Sequence, residues 1–156
     1  MSNGSFEDVP RLLAQGGLAP GEPDETKYDP TLDPEGATRL AGWLAERTKL
    51  LHPAAVVIWE EPEDMILAHL VAQQLDIHWI RCFEQDGFVT VSGAIRSGDH
   101  VVFLTDVLRE QTPLEAIRRA IELRGAKLVG TCVLLATPRL TEYGPEFGLK
   151  IALTDP

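Results

Sequence analysis

Residues 54–59 read Ala-Ala-Val-Val-Ile-Trp, an apolar run of strand length with no polar alternation. A strand wet on one face alternates apolar with polar; one buried on both faces does not. This run therefore demands a sheet covered on both sides. Residues 100–105 and 127–136 repeat the pattern. Between these runs lie segments with helical spacing. In 34–51, Leu40, Trp43, Leu44, Arg47 and Leu51 recur every three or four residues, after Asp33 as N-cap and Pro34 at the first helical position. After the acidic turn Glu60-Glu61-Pro62-Glu63-Asp64, a helix to about Leu75 places Met65, Ala68, Ala72 and Leu75 on one side. Residues 113–124 place Leu114, Ile117 and Ile121 inward, with Glu115, Arg118, Arg119 and Glu122 outward. A second strand over 77–83, following the strand of 54–59 and the helix that ends near Leu75, completes a βαβ unit. Residues 88–92 alternate, as a half-exposed hairpin arm does, and 147–153 supply an edge strand. The expected class is α/β, a mainly parallel sheet with helices on both faces.

At 156 residues the chain is expected to be one domain, with an irregular segment over 1–33 and an α/β core over 34–156. A short helix over 5–15 would carry Val9, Leu12 and Leu13. Residues 16–34 contain four of the eleven prolines and read as a loop or a pair of short edge strands. Lys and Arg number 14 against 24 Asp and Glu, a net charge of −10. That surplus disfavours nucleic acid and anionic membrane as partners, since both are held by Lys and Arg. The first ten residues are polar and acidic, without the apolar centre of a signal peptide, and no run has the length of a membrane span. The expectation is a cytoplasmic protein. Cys82 and Cys132, each in an apolar stretch and in no CxxC, read as reduced core thiols. His52, His69, His78 and His100 show no metal-binding spacing.

In open α/β sheets ligands bind beyond the C-terminal ends of the strands, so the loops 59–64, 83–95 and 105–112 matter most. Residues 101–117 are an apolar strand, an acidic residue, a short polar loop and a helix: Val-Val-Phe-Leu-Thr-Asp-Val-Leu-Arg-Glu-Gln-Thr-Pro-Leu-Glu-Ala-Ile. This resembles the signature of type I phosphoribosyltransferases, the orotate enzymes above all. The resemblance extends in order through most of 18–153. It includes Lys27-Tyr28-Asp29, the strand and helix of 56–72, Gly98-Asp99-His100-Val101, and the turn Arg124-Gly125-Ala126 with Val129-Gly130. It implies that fold, a homodimer, and a site for a nucleobase or nucleotide and phosphoribosyl pyrophosphate, with Mg²⁺ as cofactor in an active enzyme.

The resemblance assigns Thr105, Asp106, Arg109, Glu110, Gln111 and Thr112 to the ribose and 5′-phosphate. It assigns Glu60, Glu61, Glu63 and Asp64 to the pyrophosphate loop, and Tyr28, Trp59 and Arg81 to the base side. The residues themselves depart from the family pattern. Of two adjacent strand-end carboxylates that hold ribose, the first is Thr105 and only Asp106 remains. The phosphate loop, Arg109-Glu110-Gln111-Thr112, lacks the glycines that let a backbone approach and cradle an anion. Thr112-Pro113-Leu114-Glu115 has the form of a capping box instead. Four carboxylates stand where pyrophosphate would sit. They repel it unless a cation intervenes, for which Glu63 and Asp64 are the candidate ligands; as a plain helix start, the same two complement the dipole. Residues 82–95 contain no Lys or Arg to meet a leaving pyrophosphate. Three readings follow: a family member with transferase chemistry lost or impaired that binds a nucleotide or nucleobase, an active Mg²⁺-dependent transferase, and a non-catalytic dimeric interaction protein.

Overall fold

The computed structural model describes residues 6–19 and 21–154. A 3₁₀ turn, Phe6–Asp8, leads into α1 (Val9–Gln15); the expected start of this helix at Ser5 lies outside the described residues. Then come α2 (Pro34–Thr48), β1 (Ala55–Trp59), α3 (Pro62–Leu75), β2 (His78–Gln85), β3 (Phe88–Ser92), β4 (His100–Thr105), α4 (Leu114–Leu123), β5 (Lys127–Leu135), α5 (Pro138–Thr141) and β6 (Leu149–Thr154). The six strands form one sheet in the order β3-β2-β1-β4-β5-β6. All neighbours are parallel except the β2–β3 hairpin. Its turn places Asp86 and Gly87 at φ 52° and 82°, left-handed values that a tight hairpin requires.

Each continuous apolar run becomes a strand buried on both faces. Val56 and Ile58 of β1, Val102 and Leu104 of β4, and Cys132 and Leu134 of β5 face a core closed by α1, α2 and α3. Ala55, Val57, Val101, Phe103 and Val133 face the other, closed by α4 with Leu140 and Phe147. The N-cap at Asp33 forms as the sequence predicts, its side chain accepting from the Gly36 N–H at 3.0 Å. In α3 the buried face centres on Leu67, Ala68, Val71 and Ala72, with Met65 and Leu75 at its rim. That helix is apolar nearly all round, so periodicity locates its core face poorly. Both thiols are buried, and burial pushes each up to about 12; the Thr48 hydroxyl lies 3.6 Å from Cys132 Sγ.

Of the loop or pair of edge strands expected over 16–34, the loop forms: the described residues among 16–33 are turns and coil, and Pro34 opens α2. One local expectation fails: the capping box at 112–115 does not form. Thr112 N–H donates to Arg109 O at 3.2 Å, and Leu114 N–H donates back to Thr112 O at 2.9 Å. These tight turns leave Pro113 in the N-cap position with no side-chain cap, so α4 starts at Leu114. Glu115 reaches Arg118 at 2.8 Å and Arg119 at 2.9 Å instead of back to the cap. A charged partner one turn ahead outcompetes a neutral N–H one turn behind.

Candidate functional site

Strands β1 and β4 lie side by side, yet the chain leaves β1 for α3 on one face and β4 for α4 on the other. The crevice between their C-terminal ends is where an open parallel sheet receives a ligand. A cavity of about 180 Å³ sits there. Trp59, Glu61 and Asp64 line it from the end of β1 and the start of α3; Thr105, Arg109, Gln111 and Thr112 line it from the end of β4 and the loop beyond. Asp24, Glu25 and Lys27 close the third side from the N-terminal loop.

Asp106 lies beneath the cavity rather than in its wall, 3% exposed. Its carboxylate accepts from the Tyr28 N–H at 2.9 Å, from its neighbour Val107 N–H at 2.6 Å, and from both terminal nitrogens of Arg109 at 2.6 and 3.2 Å. Four donors consume the acceptor capacity that the resemblance assigns to a ribose. Arg109 is equally committed. Its side chain is 11% exposed, and it donates also to Val107 O at 3.2 Å, to Pro23 O at 3.3 Å and to Thr26 O. Its Nε is buried without a partner.

Asp64 is the second buried carboxyl, 5% exposed. It accepts from Thr105 Oγ1 at 2.9 Å and from the Asp106 N–H at 3.2 Å. The plain dipole-complementing role at a helix start is thus corrected: Asp64 turns inward and holds the end of β4. Loss of hydration, then the Asp106 charge, pushes its carboxyl up to about 8.

The remaining carboxylates of the 60–64 turn diverge. Glu60 pairs with Arg81 at 2.6 Å, and Glu61 pairs with Lys27. Glu61 holds the Lys27 ammonium above its usual range, against the opposing effect of burial. No three His, Cys, Asp or Glu side chains converge on a metal site among the described residues. The Glu63 and Asp64 pair assigned to a cation does not fit one: Asp64 is inward and already accepts from Thr105 and the Asp106 N–H, with no companions around a common centre among the described residues.

Of the residues the sequence singles out, Trp59, Glu61, Asp64, Thr105, Arg109, Gln111 and Thr112 meet at the cavity. Glu60, Glu63, Arg81 and Glu110 are outside its wall, and Tyr28, 1% exposed, is a core residue whose backbone, not its ring, serves the site. Desolvation raises the Tyr28 hydroxyl to about 12. Sequence reasoning gave no site role to Asp24, Glu25 or Lys27. The one available signal was a lone lysine within the acidic, proline-bearing stretch 21–29.

Among solved structures the chain is similar to the adenine phosphoribosyltransferase of Rhodothermus marinus, at 19% identity and a TM-score of 0.77, over 97% of this chain and 100% of that one. It is similar also to a phosphoribosyltransferase from Corynebacterium diphtheriae, at 19% identity and a TM-score of 0.74, over 96% and 95%. The fold is that of the type I phosphoribosyltransferases. A hypothetical protein from Neisseria gonorrhoeae solved with bound ppGpp aligns at 16% identity and a TM-score of 0.60, over 78% and 80%. No family model matches the sequence, and no curated protein does. The likeness carries the phosphoribosyltransferase fold and assigns no base. No described helix is long and apolar enough to cross a membrane.

Proposed function

We propose that this chain is a phosphoribosyltransferase-fold protein that has lost transferase chemistry, or nearly so, and acts as a binding or regulatory module for a nucleobase or nucleoside. The observation that carries this reading is the Asp106–Arg109 pair. The carboxylate that would hold ribose and the cation nearest the 5′-phosphate position satisfy each other at 2.6 Å. Catalysis needs charged groups whose contacts strengthen as the transition state forms, and groups already paired supply none.

Three further features support it. The cavity, at about 180 Å³, is smaller than the roughly 300–1,000 Å³ of ordinary small-molecule sites. Its wall holds four carboxyl groups against two cations, Lys27 and Arg109, both of them paired. A polyanion such as phosphoribosyl pyrophosphate is repelled there, whereas an uncharged base is not. Trp59 offers a flat apolar face, and Glu61 and Asp64 offer polar edges beside it. The Neisseria protein was solved with ppGpp bound, which supports ligand binding on such a scaffold; the acidic wall here narrows the expected ligand to an uncharged base or nucleoside. A homodimer, implied by the sequence resemblance, belongs to this reading and is checked by solution mass.

The test is a thermal-shift panel of adenine, guanine, uracil and orotate with their nucleosides, beside calorimetry with phosphoribosyl pyrophosphate and Mg²⁺. The reading expects one base or nucleoside to stabilise the protein, loss of that shift in Trp59→Ala, and no heat from the activated sugar. Saturable heat from phosphoribosyl pyrophosphate at micromolar concentration would reject it.

A further inference from the structure

The residues that close the third side of the cavity are held in an unusual way. Residues 21–27 contain no helix or strand. Within the segment, Glu25 N–H donates to Glu22 O at 3.1 Å and Thr26 Oγ1 donates to Glu22 O at 3.3 Å, so it keeps its own turn. At its near end Ala19 N–H donates to Thr26 Oγ1 at 3.0 Å and Glu22 N–H donates to Ala19 O at 3.1 Å; across the cavity, its hydrogen bonds among the described residues come from two side chains. Arg109 Nη2 donates to Pro23 O and Thr26 O, and Lys27 pairs with Glu61. Both cations, and Glu61, belong to the cavity wall. The root of the segment is firm by comparison: Tyr28 is buried, its N–H bonds Asp106, and Asp29 N–H donates to Gly16 O at 2.7 Å. At the other side Leu18 is fully buried and its N–H donates to Leu13 O at 3.0 Å, a second firm root.

We propose that residues 21–27 are a gate over the cavity, held shut by Arg109 on its carbonyls and by its own Lys27 on Glu61, and that opening it is what admits a ligand. This rests on the reading of the cavity as a ligand site and adds how the site is controlled. Backbone carbonyls of Pro23 and Thr26 occupy the donors of Arg109, so the segment is an internal competitor for the group any polar ligand would seek. Release exposes the Arg109 Nη2 proton that faces Pro23 and Thr26 and the Glu61 carboxylate that holds Lys27, and enlarges a cavity now too small for a nucleoside. The unpartnered Arg109 Nε means that the closed state leaves one donor unmet, so closure is not fully satisfied. A segment outside any helix or strand, with a firm root at each end in Leu18 and Tyr28, opens locally without unfolding the sheet.

Hydrogen–deuterium exchange and acrylamide quenching test this together. Arg109→Lys keeps a charge against Asp106 but loses the fork that reaches two carbonyls. Lys27→Ala breaks the other tie and leaves the Asp106 pair intact, so it serves if the first variant folds poorly. Exchange over 21–28 is expected to quicken at least ten-fold in Arg109→Lys and about three-fold in Lys27→Ala, with β1 and β4 unchanged. In a Trp43→Phe/Trp79→Phe background, quenching of Trp59 should rise at least two-fold in each. Unchanged exchange in both variants, or wild-type exchange already at the free-peptide rate, would overturn the gate. So would faster exchange without greater Trp59 quenching. Adenosine is the ligand probe: if it fails to bind wild type and variants alike while segment and quenching respond as expected, the gate stands and the ligand reading of the cavity falls.

Discussion

Replacing Arg109 by Met should be among the most costly single changes in this protein. The substitution keeps much of the side-chain length and removes the guanidinium from Asp106, which is 3% exposed. Breaking one side of a buried ion pair costs about 3–5 kcal/mol, because the other charge stays buried without its partner. Asp106 retains the Tyr28 and Val107 N–H groups and a long contact from Thr105 Oγ1 at 3.3 Å, which places the cost at the lower end, about 3 kcal/mol. In a chain of this size that corresponds to a fall in Tm of roughly 6–12 °C. Urea unfolding of wild type, Arg109→Met, Asp106→Asn and the double variant measures it as a cycle. Asp106→Asn alone leaves Arg109 without its anion, and the double variant should lose far less than the sum of the two. A loss below about 1 kcal/mol in Arg109→Met, or strict additivity, would refute the claim that this pair consumes the site.

Two further predictions concern other residues. Asp64 in the folded protein sits at about 8, above its unfolded value of 3.8, so the folded state binds the extra proton between those limits. Stability is therefore greatest at and below about pH 4, as far as this group is concerned, and is lost as pH rises through about 8; Asp64→Asn should flatten that slope in pH-dependent urea unfolding, and an unchanged slope would contradict the assignment. Gly16→Ala places a Cβ 2.0 Å from Cε2 of the buried Tyr28 ring, so it should cost about 1–3 kcal/mol and disturb the Tyr28 N–H bond to Asp106; equilibrium unfolding reads the first effect and exchange at the Tyr28 amide the second.

The sheet was legible because burial on both faces erases alternation, and the runs containing Val56–Val57–Ile58 and Val101–Val102–Phe103 show that directly. The place of the cavity was legible too, since loops after β1 and β4 must flank the crevice. The state of the site was less so. That Arg109 reaches Pro23 and Thr26, 86 and 83 positions away, and that Tyr28 N–H meets Asp106 across 78, depends on how an irregular segment folds back, and no periodicity encodes that. The inward turn of Asp64 is a similar case: a carboxylate in the first turn of a helix looks the same in sequence whether it meets water or a buried hydroxyl. Thr112 failed as a cap for a local reason of the same kind, because the turn from Arg109 had already committed its backbone.

Release of inorganic diphosphate tests the account most directly. Wild-type protein at micromolar concentration, given phosphoribosyl pyrophosphate, Mg²⁺ and each of adenine, guanine, uracil and orotate, should produce diphosphate no faster than a protein-free control. Turnover near 1 s⁻¹ or above with any of these bases, within the ordinary range of enzymes, would contradict it.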